Sequence, residues 1–424
     1  MRTNKKLRNG LVLLTLVSVI ADSMLLPFYP QFFSVTFDQH SPEHVGVYIA
    51  ASCFTVMITF PIWARIAKKV NELHLWVYTQ LISGLLGISC FFVDSLVWFW
   101  VLSQTMLIFK ASYLLIYPFV MRLEKQDAHL GVASLFSVLM HFGAISGAII
   151  GGAFLEHFNP RGVYLLMSGT DAAQVIMCLI LIRIHNVPLF QSSESFLLGE
   201  DESSDEVLQT NTSAEFKSEI SPTVGTQKGT RFLYQLSIVS LLFYCSAFLI
   251  RPFFSTYWQT VSEVNNIVIA ALIYSIPGWV AIIGLWFNHR RQGNCNHYRV
   301  ILSSLCLAAI GVLLQGVEHT IAIIVGRCIF GWALFQITVR LEVVMFEFSH
   351  KDNYGVDFSK IYLFQNIGIL IASISVGSLV SNTNSQAPFI VSFIGFLVTA
   401  VVFTAFFKKT IFLSHSSIKE VQSA

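Results

Sequence analysis

The sequence predicts an all-α membrane protein, with twelve transmembrane helices arranged as two pseudo-symmetric six-helix bundles. Three observations carry that expectation: charge is scarce, long apolar runs are numerous, and short motifs recur at one fixed offset. Of the 424 residues, 54% are hydrophobic and only 12% charged, against about 25% charged in an ordinary soluble chain. With a mean hydropathy of +0.66, the chain falls in the membrane class before any motif is read. The net charge of +2 says little about partners; where the charges sit says more.

A bilayer core takes about 20 apolar residues per helix. Runs of that kind occupy approximately 10–36, 45–66, 73–93, 96–121, 132–156, 163–185, 232–258, 267–287, 299–316, 320–346, 359–381 and 388–407. Helices are required at this length, because lipid offers no partner to an open backbone. The first run lacks a small-residue cleavage pattern and is too long for a signal-peptide core, so it reads as a retained span. The seven cysteines are odd in number and six lie inside apolar runs, which argues against a disulfide framework.

Basic residues set the expected orientation. Arg2, Lys5, Lys6 and Arg8 precede span one; Arg65, Lys68 and Lys69 follow span two; Arg122 and Lys125 follow span four. Arg290, Arg291 and Arg299 flank the eighth connection, Lys351 and Lys360 the tenth, and Lys408 and Lys409 follow the last span. With twelve spans all of these fall on one side, and only Arg161 falls on the other. Both termini are therefore expected on the cytoplasmic side of the inner (plasma) membrane.

The chain divides by composition into an amino-terminal bundle (1–185), a Ser- and acid-rich cytoplasmic linker (186–231), a carboxy-terminal bundle (232–407) and a cytoplasmic tail (408–424). The linker is too polar to bury a core and reads as a flexible spacer. The halves are related by an offset of 225 positions. Leu25-Leu26-Pro27-Phe28-Tyr29 matches Ile250-Arg251-Pro252-Phe253-Phe254, and His141-Phe142-Gly143 matches Asn366-Ile367-Gly368. Gly147 falls opposite Ala372, Ala148 opposite Ser373, and Gly152 opposite Gly377. An internal repeat of this kind is common in secondary transporters.

A six-plus-six chain with a polar central loop resembles the major facilitator superfamily, and the resemblance covers essentially all twelve spans. In span five, Gly143, Gly147, Gly151 and Gly152 resemble that family's antiporter motif, with Ala148 where the motif has proline. Glycines of this spacing permit close helix packing. The stretch Trp63-Ala64-Arg65-Ile66-Ala67-Lys68 resembles its gating loop in outline, although Lys68 stands at the acidic position and an Asp-to-Arg latch cannot form there. Arg327 with Gly331 in span ten is similar to a signature that normally belongs to span four. Asp22-Ser23-Met24-Leu25-Leu26-Pro27 resembles the first-span acidic motif of proton-coupled drug and amine exporters.

Charges at bilayer depth are costly and mark functional or paired groups. Asp22 lies near the middle of span one and Lys110 at comparable depth in span four. A carboxylate in a low-dielectric cavity can load and release a proton during a cycle, so Asp22 is the leading proton-coupling candidate, with His141 a possible relay. The alternative for Asp22 is a fixed ion pair with Lys110. Lys110, Tyr113 and Tyr117 share a helical face, and with Arg251, Gln336 and Arg340 they form the expected substrate-binding set. Arg327 is expected to be structural, Asp171 to pair with one of the arginines, and Glu342 to lie near the inner end of span ten.

These features suggest a secondary active transporter working by alternating access, with proton-coupled antiport and efflux of a small organic solute as the leading form. The expected partners are the solute, protons and the lipid bilayer, with the chain acting as a monomer. Uptake of an organic anion or a metal-chelate such as a siderophore is the alternative, and a transport-dead membrane sensor a second. Enzymatic activity is not expected, since no nucleophile with workable His and carboxylate partners occurs. No phosphate-binding loop, zinc motif or aromatic-interleaved basic patch is present, so no cofactor, metal or nucleic acid is expected.

Overall fold

The computed structural model describes residues 2–67, 69–123, 129–185, 224–262, 264, 266–290, 296–348 and 354–412. Lys68, most of the linker and the end of the tail therefore lie outside the described residues. The architecture is all-helical, with the twelve-span arrangement that the apolar runs predict. Eleven helices among the described residues are long and apolar enough to cross a membrane. The twelfth path, span four, is broken into helix Leu96–Lys110, a 3-10 stretch Ala111–Leu115 and helix Ile116–Leu123.

The boundaries repeat as the motifs do. Span one ends its first helix at Ser23 and resumes at Tyr29; span seven ends its first helix at Phe248 and resumes at Phe254. Both interruptions carry a proline, Pro27 or Pro252, which removes a backbone donor and disfavours helix in the residue before it. Asn71 caps span three by accepting from Leu73 N–H at 3.0 Å. Asn296, its counterpart, caps span nine by accepting from Tyr298 N–H at 3.0 Å. Asn159 and Asn384 play the same part before spans six and twelve, accepting from Arg161 N–H and Gln386 N–H. Such caps satisfy donors that a helix start leaves open.

Packing follows the same two-fold plan. Span one lies along span five as span seven lies along span eleven; spans three and six match spans nine and twelve. Between the halves, span five meets span eight and span two meets span eleven. These seams use the paired glycines. A methyl group on Gly152 would sit 2.8 Å from Ala271 Cβ; one on Gly377 would sit 2.6 Å from Pro42 O and 3.2 Å from Gly46 Cα. Gly46 and Pro42 are the counterparts of Ala271 and Ile267. On the other face of span five, side chains at Gly147 and Gly151 would collide with the carbonyls of Ile20 and Met24 in span one.

Two of the buried clusters belong to one half each. The third joins them: Phe28, Phe32, Phe33 and Tyr48 pack in one cluster with Phe248, Phe253, Ala271 and Val376. It lies at the end of the bundle that carries the first, third, fifth and seventh connections, opposite the basic end. Polar links between the halves reinforce that seam. Gln31 Nε2 donates to Gln259 Oε1 at 3.0 Å, and Glu156 Oε2 accepts from the Ile267 N–H that opens span eight, at 2.9 Å. Arg161, the basic residue that breaks the charge pattern, is paired with Asp94 at 2.5 Å.

Candidate functional site

The centre of the amino-terminal half is an ionic triad. Lys110 Nζ lies 3.1 Å from Asp22 Oδ1 and 3.4 Å from Asp171 Oδ1. Spans four, one and six each contribute one member. The carboxylates differ in setting: the Asp171 side chain is 1% exposed, whereas Asp22 is 28% exposed. Ser83 of span three donates to Asp171 Oδ2 at 2.8 Å. Tyr113 stands beside Asp22. One turn towards the basic end, Ser18 donates to Gln174 Oε1 at 2.8 Å, binding spans one and six again.

Local sequence explains the placement. Asp22 occupies the last turn before the proline break of span one, and Lys110 is the last residue before the 3-10 stretch of span four. The Ile116 N–H turns to Tyr113 O instead of continuing the α-helical pattern. The Ser112 carbonyl thus freed accepts from the Trp76 indole at 3.0 Å. Trp63 donates to Ile108 O at 2.6 Å. The buried Ser112 carbonyl needs such a partner, and the indoles of spans two and three together donate on both sides of the point where the α-helix stops.

The structure corrects two expectations. Asp171 pairs with Lys110 rather than with an arginine. Lys110, expected among the substrate cations, is 2% exposed and has its charge met by two carboxylates, so it has none to offer an anion. Ser83 and Gln174 were not singled out by the sequence, because a serine or glutamine in an apolar run gives no sign of which helix it faces.

The remaining expected residues are dispersed. Arg340 bonds His297 Nδ1 at 2.9 Å near the start of span nine. Gln336 is 4% exposed within the carboxy-terminal half. Arg327 is buried, 4.0 Å from the Phe254 ring centroid, and donates to the carbonyls of Ile273 and Tyr274. Arg65 is exposed on the surface. Arg251 lies beside His141 of the other half, with its guanidinium 5.9 Å from the Phe248 ring centroid. Tyr117 of span four and Tyr244 of span seven both neighbour Glu342 of span ten. No group of three or more potential metal ligands occurs among the described residues.

The triad has no equivalent in the second half. At the offset of 225, Asp22 becomes Ala247, Asp171 becomes Phe396 and Ser83 becomes Ala308, all buried apolar residues. Phe396 packs against Phe243 and Phe330 instead. One half thus carries buried charge where the other carries aromatic packing.

A duplicated helical bundle with an ionic triad in one half and a seam between the halves defines a polytopic membrane protein. The family model described as Major Facilitator Superfamily matches residues 11–292, and the chain belongs to that superfamily. Among solved structures it is similar to the nucleoside transporter NupG, at 14% identity over 95% of this chain and 99% of that one, with a TM-score of 0.67. A bacterial homologue of the human lysosomal transporter Spinster, in an inward-facing and occupied conformation, matches at 11% identity over 96% and 97% of the two chains, TM-score 0.68. A POT family transporter in complex with 5-aminolevulinic acid matches at 13% identity over 96% of each chain, TM-score 0.73. Identities this low show the fold alone. A search of the curated proteins finds no match. The family and these neighbours support a secondary transporter, a transport role rather than a catalytic one.

Proposed function

We propose that the protein is a proton-coupled exporter of a small organic solute, monomeric in the inner membrane, with both termini cytoplasmic and Asp22 as the coupling carboxylate. The basic end is then the cytoplasmic end. The seam through Phe28, Gln31, Gly152, Glu156 and Gly377 closes the outer side, which makes this the inward-facing arrangement. The linker (186–231) joins two bundles, 1–185 and 232–407, that rock about the centre.

The observation that carries the coupling assignment is the sharing of Lys110 between two carboxylates of unequal exposure. When Asp22 takes a proton, the ammonium remains neutralised by Asp171, and the triad passes from a net charge of −1 to zero without stranding a cation. Protonation at the accessible member is thereby separated from the stability of the buried pair. His141, beside Arg251 across the seam, is the second group placed to relay a proton.

The test uses inside-out vesicles, radiolabelled candidate solutes and an imposed pH gradient. Asp22→Asn should retain solute exchange at equilibrium and lose gradient-driven accumulation. Accumulation equal to that of the wild type would remove Asp22 from the coupling role.

A further inference from the structure

Two charges inside the spans stand apart from the pairing that holds the others. Glu342 lies within span ten, in the membrane-crossing stretch Thr320–Met345, and its side chain is exposed. Among the described residues it has neither an ion-pair nor a hydrogen-bond partner. It does have neighbours of a particular kind: Tyr117 from the amino-terminal half and Tyr244 from the carboxy-terminal half. Thr338, one turn earlier on span ten, engages the Tyr244 hydroxyl. Leu341, Val344 and Met345 of the same helix are buried in the core of their own half, so the Glu342 face of span ten is turned away from that core. The carboxylate therefore stands between the halves, with a phenol from each beside it.

Arg251 is the complementary case. It follows Tyr244 by seven positions and lies in the break of span seven, between the helix that ends at Phe248 and the one that begins at Phe254. It faces Phe248 and His141 and pairs with no carboxylate among the described residues. Tyr244 has both Glu342 and Arg251 as electrostatic neighbours, so the two charges share one phenol as a neighbour.

An unpaired carboxylate suits an ammonium or other organic cation, and phenol rings add attraction through their faces while their oxygens accept hydrogen bonds. A guanidinium suits a carboxylate or phosphate. A solute with only one charge would match one of these groups and leave the other without a counter-charge; a solute with both compensates both. We propose that the transported solute is zwitterionic, its cationic group seated at Glu342 between Tyr117 and Tyr244 and its anionic group at Arg251. This assignment rests on the transporter reading above but is independent of which residue carries the proton.

The test follows thermal unfolding of the purified full-length protein with three matched probes: 6-aminohexanoate, hexylamine and hexanoate. Wild type should respond to 6-aminohexanoate at a concentration at least tenfold lower than to either singly charged probe. Glu342→Gln should raise the half-saturating concentration of 6-aminohexanoate at least tenfold and abolish the response to hexylamine, leaving hexanoate unchanged. Arg251→Gln should do the converse. Tyr117→Phe and Tyr244→Phe, which keep the ring volume, should weaken hexylamine severalfold and spare hexanoate, and they provide the same selectivity readout if Glu342→Gln does not fold. No response of wild type to 6-aminohexanoate overturns the assignment, as do amine responses indifferent to all three cation-site variants. If that pattern is absent while gradient-driven accumulation still depends on Asp22, the substrate class is refuted and the coupling reading stands. The reverse pattern refutes the coupling alone.

Discussion

Lys110→Met should be the most destabilising single change in the amino-terminal half, and the triad geometry sets its size. The substitution removes the cation that lies 3.1 Å from Asp22 and 3.4 Å from Asp171 and takes the site from a net charge of −1 to −2. Asp171, 1% exposed, keeps only the Ser83 hydroxyl. Breaking a buried pair in this way costs about 3–5 kcal/mol, or roughly two to three and a half orders of magnitude in the folded fraction. Asp22→Asn is a different perturbation, because Lys110 keeps Asp171; its cost is that of one partly exposed contact, about 1 kcal/mol. The double change Lys110→Met with Asp171→Asn removes the stranded buried charge and should recover most of the loss. Fluorescence-detected size exclusion after a heating series gives the ordering directly: wild type, Asp22→Asn, the double variant, then Lys110→Met. Equal thermal midpoints for Lys110→Met and Asp22→Asn would refute the claim that Lys110 is shared.

The outer seam makes a second prediction. A side chain at Gly377 meets Pro42 O and the Gly46 backbone, so Gly377→Val should cost about 1–3 kcal/mol of overpacking in this arrangement. The ratio of outward-closed to outward-open molecules should then fall by a factor of about 5 to 160, read as faster thiol labelling of a cysteine at Gln259; unchanged labelling would show that the seam tolerates the side chain. Orientation gives a third. In intact cells, cysteines placed at Asn382 or Ser95 should react with an impermeant thiol reagent and one at Ser204 should not, and labelling of Ser204 would invert the topology.

Much of this fold is legible in the sequence because its strongest determinants are local. Apolar length sets the spans, Pro27 and Pro252 set the two breaks, and the glycines of span five announce close packing before any neighbour is known. The repeat was visible in motifs, while the capping asparagines Asn71, Asn296, Asn159 and Asn384 show it again where short loops meet helix starts. The ionic site was legible only as a membership list. Asp22, Lys110 and Asp171 stand out because charge in an apolar run is costly, but partner choice depends on helix rotation and lateral placement. Sequence alone therefore points Asp171 to an arginine and Lys110 to a substrate, whereas the structure pairs the two with each other. Ser83 gave no signal at all. Glu342 did, through its mere presence near the end of span ten, yet its setting between Tyr117 and Tyr244 depends on how three helices converge.

Span four's interruption makes the two halves mechanically unequal. Its counterpart, span ten, is one unbroken helix from Thr320 to Phe348, and the positions of Trp63 and Trp76 are taken by Asn288 and Ile301, which carry no indole. An intact hydrogen-bonded rod resists a change of pitch along its length, whereas a 3-10 segment held by side-chain donors concentrates any such change in five residues. Lys110 is the residue immediately before those five. The two carboxylates therefore hold span four at the edge of its 3-10 stretch, as a clamp holds a joint. The carboxy-terminal half has no such 3-10 stretch in span ten and no ionic triad beside it.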